Sequence, residues 1–81
     1  MATTPDTDLI ITRLGERIGR LREERGWSQT DFARSTGLNR AYLNEVEAGK
    51  RNPAIKNLIK ISQGLGVELS YLFSEVDSSS S

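Results

Sequence analysis

The helical rhythm of this chain, broken off and restarted several times, is the feature that most limits what it can fold into. From Ile11 the apolar residues Leu14, Ile18 and Leu21 return at spacings of three and four, which places them on one stripe of an α-helix. Gly26 stops that pattern, and the segments that follow are stopped in turn by Gly37 and Gly49. No convincing alternation of apolar and polar residues marks a strand. The expected fold class is therefore all-α, a compact domain of short helices.

End signals bound each helix. The first is expected from Leu9 to Arg25. Ser28 can cap the second with its side-chain oxygen, and Asp31 three residues on resembles a capping box with Asp in the usual Glu place. That helix runs from Ser28 to Thr36, buries Phe32 and Ala33, and ends where Gly37 permits a left-handed backbone. The third runs from Asn39, its cap, to Ala48, with Leu43 and Val46 turned inward. The fourth is expected from Pro53, at the first helical position behind an Asn52 cap, to Leu65, with Ile55, Leu58, Ile59, Ser62 and Leu65 on one face. A last helix from Glu68 to Ser74 offers Leu69, Leu72 and Phe73 for packing. This gives a five-helix domain from Leu9 to Val76, between an arm, Met1 to Asp8, and a tail, Asp77 to Ser81, both expected to be disordered.

Composition closes most catalytic chemistries. A chain of 81 residues suits one domain with a modest core, to which dimerisation often adds stability. Without cysteine there is no disulfide or thiolate site, and without histidine the commonest metal ligand and general base is missing. Glu23 and Glu24 are neighbours along the first helix and point different ways, as a solvated face does rather than an acid-base pair. No enzyme activity, cofactor or metal is expected. The start "MATTPDTD" leads into no signal-like apolar run, and no stretch approaches the roughly eighteen apolar residues of a membrane span, so a cytoplasmic location is expected.

Charge is balanced in number and sorted in position. The 11 basic and 11 acidic residues cancel, yet Asp6 and Asp8 stand at one end and Glu68, Glu75 and Asp77 at the other, with every lysine and arginine between them. From Arg40 to Lys60 the basic residues Arg40, Lys50, Arg51, Lys56 and Lys60 outnumber Glu45 and Glu47. Such a local positive field can guide binding to phosphates, although a solvated helical surface would carry the same charges.

Two short helices joined by a tight glycine turn form a helix-turn-helix, whose second helix can enter a DNA major groove. "WSQTDFARSTGLNRAYLNEVEAGKRNP" resembles the helix-turn-helix of the Cro/phage-repressor, or XRE, family, with its lambda-repressor-like five-helix fold. The resemblance rests on Ser28-Gln29, Ala33, Gly37, the Glu47-x-Gly49-Lys50 end of the third helix, and Pro53, and it extends from Ile11 to Phe73. Through "NRAYL" the chain is also similar to the controller proteins of restriction-modification systems, small dimeric DNA binders. The resemblance implies a bacterial or phage-encoded, nucleoid-associated transcriptional regulator that binds a palindromic double-stranded operator as a homodimer. Such a regulator blocks or recruits RNA polymerase according to where the operator lies. The alternative is an antitoxin-type protein-interaction module on the same fold, for which the tail "EVDSSSS" offers little.

Residue by residue, Arg40 is the first candidate for base reading, because its planar fork fits the O6 and N7 edge of guanine; the alternative is a surface arginine on phosphate or in solvent. Ala41 and Glu45 resemble base-facing positions of the family: the methyl suits a thymine methyl or simply permits close approach, and the carboxylate accepts from cytosine, orients Arg40, or, repelled by phosphates, stays in solvent without contact. Tyr42 either donates to a phosphate or packs its ring beneath the second helix. Gln29, Asn39, Asn44, Lys50 and Arg51 are candidate backbone contacts, with capping a sufficient explanation of Asn39. Arg22 and Glu47 match the family's partly buried ion pair, and Trp27 reads as packing at the turn between the first two helices. Ile61, Leu65, Leu69, Tyr71, Leu72 and Val76 suggest a dimer interface on the last two helices; completing the monomer core would account for them equally, and the family resemblance favours the dimer.

Overall fold

In the computed structural model, which describes residues 6–74 and Val76, the helical segments become α1 (Thr7–Glu24), α2 (Gln29–Thr36), α3 (Arg40–Glu47), α4 (Ile55–Leu65) and α5 (Leu69–Leu72). No strand occurs among the described residues.

Local chemistry sets most of the helix ends. The Ser28 hydroxyl accepts the Asp31 N–H at 3.0 Å and the Asn39 side chain accepts the Tyr42 N–H at 2.9 Å, so both short helices begin with a filled cap. Besides the end of α5, which closes at Leu72 rather than Ser74, two boundaries differ from expectation by two residues. Thr7 and Asp8, expected in a disordered arm, belong to α1, because the Asp6 carboxylate accepts the Leu9 N–H at 3.1 Å and caps the helix there. The remaining arm, residues 1–5, and the tail, residues 77–81, lie outside the described residues. The second difference is α4, which starts after Ala54 rather than at Pro53 and has no side-chain cap. Pro53 is buried, and Ala54 stays extended at φ −68° and ψ 149°. The chain thus places the proline ring in the interior before it turns helical, and Asn52 caps nothing.

The buried side of α4 also differs from expectation. Leu58, Ile61, Ser62 and Leu65 face inward, while Ile55 and Ile59, expected on the same buried face, are 59% and 40% exposed. Ile18, Phe32, Leu43, Val46, Ile61 and Leu72 are almost completely shielded, so all five helices contribute a side chain to one core. Each such side chain is worth about 1.5–3 kcal/mol of burial. Arg17 is buried as well; its Nε donates to the Tyr71 carbonyl at 2.9 Å and its guanidinium lies 4.4 Å from the centre of the Tyr71 ring, fastening α1 to α5.

The interface residues expected on α4 and α5 are mostly consumed by this core. Ile61, Leu65, Leu72 and Val76 are buried within the single chain and cannot also face a second copy, and Leu69 packs partly against the same cluster. Only Tyr71 of that set is exposed.

α1 and α3 approach each other where α1 has no side chains. A Cβ at Gly15 would collide with the Val46 carbonyl oxygen, and one at Gly19 would stand 3.1 Å from a Glu47 carboxylate oxygen. On an open helix face, Gly to Ala gains about 1 kcal/mol of helix propensity. Here the backbone of α3 occupies the space, so Gly15→Ala should lose about 1–3 kcal/mol overall through overpacking. Thermal unfolding followed by circular dichroism should show a melting temperature several degrees lower; a rise would mean that α1 and α3 separate without cost.

Candidate nucleic-acid interface

The turn between α2 and α3 is short because glycine closes it. Gly37 has φ of 76°, and this left-handed bend lets the Leu38 N–H return to the Ala33 carbonyl at 3.0 Å. Leu38 packs against the core, and Asn39 then caps α3, so three residues reverse the chain and present a new helix. α3 is pinned by Leu43 and Val46, which are 0% and 1% exposed. The opposite face carries Arg40, Ala41 and Asn44, all exposed, with Glu45 at its edge.

Behind this face stands a buried polar node. The Arg22 Nε donates to Glu47 Oε2 at 2.8 Å and its Nη2 to Oε1 at 3.0 Å, a two-point pairing with side-chain exposures of only 11% and 9%. Arg22 also donates through Nη1 to the Trp27 carbonyl at 2.6 Å, which ties the end of α1 to the entry of α2. The hydrogen bonds it donates to Glu47 hold the Arg22 guanidinium above its ordinary pKa, against the opposing effect of burial. Trp27 itself lies at the surface, with its ring stacked on Phe32 at 5.6 Å between centroids.

The node extends to the surface through amides. Gln29 Nε2 donates to Glu47 Oε1 at 3.0 Å, and Asn44 Nδ2 donates to Gln29 Oε1 at 3.2 Å. Gln29, at the first position of α2, and Asn44, on the outer face of α3, thus form one outward-facing pair. Asn39 is occupied as the cap of α3. Lys50 and Arg51 follow α3 and are exposed.

Two side chains take positions that spacing did not indicate. Glu45 pairs with Arg51, not with Arg40: the Arg51 Nε and Nη2 both reach Glu45 Oε1, at 2.9 Å and 2.6 Å. Tyr42 packs partly against the core; its hydroxyl accepts from Asn57 Nδ2 of α4 at 2.9 Å, and the Arg51 guanidinium lies 5.1 Å from its ring centre. Asn57 was not a sequence candidate. Five residues, Gly49 among them, separate Glu45 from Arg51, so helical spacing rules give no signal for the pair. Arg40, in contrast, is exposed and engaged by no described side chain.

A short second helix, capped, with a clear outer face and presented by a glycine turn, is the geometry of a groove-reading helix. The family model HTH_3, described as Helix-turn-helix, matches residues 18–72. The chain belongs to the helix-turn-helix family. It is a DNA-binding transcriptional regulator and not an enzyme. Among its relatives is the control protein C.MunI of Mycoplasma sp, 46% identical over 69 residues that cover 84% of this chain and 93% of that protein. The solved structure of the restriction-modification controller protein C.AhdI from Aeromonas hydrophila aligns with a TM-score of 0.75 at 35% identity, covering 76% of this chain and 94% of the other. The structure of the biofilm regulator SinR in complex with DNA aligns with a TM-score of 0.72 at 34% identity, covering 75% and 98%. The helix-turn-helix match includes Arg22, Gln29 and Glu47, the residues of the node.

Removing one partner of the buried pair leaves an uncompensated charge. Glu47→Ala should therefore cost roughly 3–5 kcal/mol in urea unfolding, and the double replacement Arg22→Met with Glu47→Leu should lose much less. A loss for Glu47→Ala of only about 1 kcal/mol or less would mean that the pair is effectively solvated.

Proposed function

We propose that this regulator binds a palindromic operator as a homodimer, with one α3 in each of two successive major-groove segments, and that it controls a restriction-modification system. The observation that carries the DNA-reading part is the outer face of α3. There Arg40 is exposed and uncommitted, Ala41 lies beside it with a small methyl, and the amide pair Gln29–Asn44 is held in place from behind by Glu47. Arg40 reads guanine through its fork, and Ala41 meets a thymine methyl. Gln29, Asn39, Tyr42, Asn44 and Lys50 contact the sugar-phosphate backbone and set the register of the helix, with Arg51 joining them as a further backbone contact. The controller assignment is supported by similarity to C.MunI and C.AhdI over more than nine tenths of each of those chains.

Homodimerisation is supported by apolar surface that the monomer leaves uncovered. Ile55 and Ile59 on α4, Tyr71 on α5 and Phe73 just beyond it are 59%, 40%, 47% and 39% exposed, and α4 packs against α5. A second copy covering these residues would set two α3 helices about one DNA turn apart, roughly 34–36 Å. Operator occupancy then blocks or recruits RNA polymerase according to its position in the promoter. Action on DNA places the protein in the cytoplasm with the nucleoid, and no described helix is long and apolar enough to cross a membrane.

Selection from a random duplex pool at fixed salt should enrich a motif with two related halves about one turn apart. Arg40→Ala should weaken binding to that motif by about 1–3 kcal/mol and relax the preference at a guanine, whereas Lys50→Ala should weaken all sequences alike. Enrichment of nothing by folded protein would favour the protein-interaction alternative. Sedimentation equilibrium tests the dimer separately: Ile59→Asp should shift the protein to monomer while leaving its helical signal intact, and an unchanged dimer would place the interface elsewhere.

A further inference from the structure

Arg51 is already engaged by side chains of its own chain. Its Nε and Nη2 are both taken by one oxygen of Glu45, at 2.9 Å and 2.6 Å, and its guanidinium lies over the Tyr42 ring. Tyr42 is in turn tethered to α4 by the hydrogen bond from Asn57. The backbone brings the two charges together. The Gly49 N–H returns to the Val46 carbonyl at 3.1 Å and the Lys50 N–H to the Glu45 carbonyl at 2.9 Å, which folds the chain back across the end of α3. Arg51 is the next residue and is delivered to the Glu45 side chain.

We infer that Glu45 is a specificity-determining residue, an internal stand-in for phosphate that keeps Arg51 off non-operator DNA. Both side chains are about half exposed, at 45% and 49%, so the pair is accessible and weak enough to be exchanged. On an arbitrary duplex, α3 has no base contacts to hold a phosphate against Arg51, so the Glu45 pair stays closed. On the operator the seated helix brings phosphate to Arg51, and the pair opens. Arg51 therefore adds its counterion release to operator binding alone, whereas an unpaired arginine would add it to every sequence. Glu45 thus weakens non-specific binding, a role distinct from accepting a hydrogen bond from cytosine.

This inference rests on the DNA-binding reading above, and the test separates the two. Glu45→Gln keeps the size of the side chain and removes its charge. Binding of wild type, Glu45→Gln, Arg51→Ala and the double variant is measured against the selected operator and a scrambled duplex over a salt series. The expected result is that Glu45→Gln tightens scrambled-duplex binding about three- to fivefold and steepens its salt dependence by about 0.9 in log–log slope, with a smaller gain on the operator. In the Arg51→Ala background the same change should leave the slope unaltered. An equal gain with and without Arg51 would overturn the proposal in favour of general charge repulsion. Weakened operator binding with unchanged scrambled binding would overturn it in favour of Glu45 as a base reader. Wild-type protein that binds neither duplex would overturn the DNA-binding reading and this inference with it.

Discussion

The Glu47 carboxylate is the point on which the reading surface depends. It belongs to α3, pairs with Arg22 of α1 and accepts from Gln29 of α2, so one side chain fixes three helices relative to one another. A buried ion pair of this kind adds little net stability over a well-packed apolar pair, because desolvation offsets much of the attraction. Its contribution here is orientation. A carboxylate only accepts hydrogen bonds, so the Gln29 amide must turn its nitrogen to Glu47 and its oxygen to Asn44. The polarity of the outward amide pair is therefore dictated from the interior.

Such a node works only if α1 and α3 are close. Gly15 and Gly19 supply that closeness, Gly15 by leaving room for the α3 backbone and Gly19 by leaving room for the Glu47 carboxylate itself. A β-carbon at either position would push α3 outward and stretch the Arg22–Glu47 bonds. The two glycines on α1 and the ion pair above them are thus one device. Small residues set the separation of the helices, and the charges set their rotation.

What could be read from the sequence follows the range of each interaction. Caps act over three residues, so Ser28 and Asn39 were legible as soon as their positions ahead of α2 and α3 were seen, and the inward pair Leu43 and Val46 follows from period alone. Arg22 and Glu47, 25 residues apart, were legible only through family resemblance. α4 misled because it carries apolar residues on more than one face. Spacing draws Ile55 and Ile59 onto one face with Leu58, Ser62 and Leu65, whereas in the folded chain Ile61 turns inward and those two stay exposed. The same ambiguity assigned Leu65, Leu72 and Val76 to a dimer interface when the small core needed them. The Glu45–Arg51 pair crosses a helix end, where neither helical nor strand spacing applies.

The distribution of charge around α3 then explains how a chain of zero net charge can act on DNA. Its two acids are both spoken for: Glu47 neutralises Arg22 in the interior, and Glu45 neutralises Arg51 at the rim. Arg40 and Lys50 remain as exposed positive charges at the two ends of the helix. A stronger positive field would speed encounter with DNA of any sequence, and a genome presents about a million or more competing sites. A regulator in that setting gains more from fitting one site than from attraction to all of them. Under the proposed exchange, the Glu45–Arg51 pair at the end of α3 is the electrostatic form of that requirement.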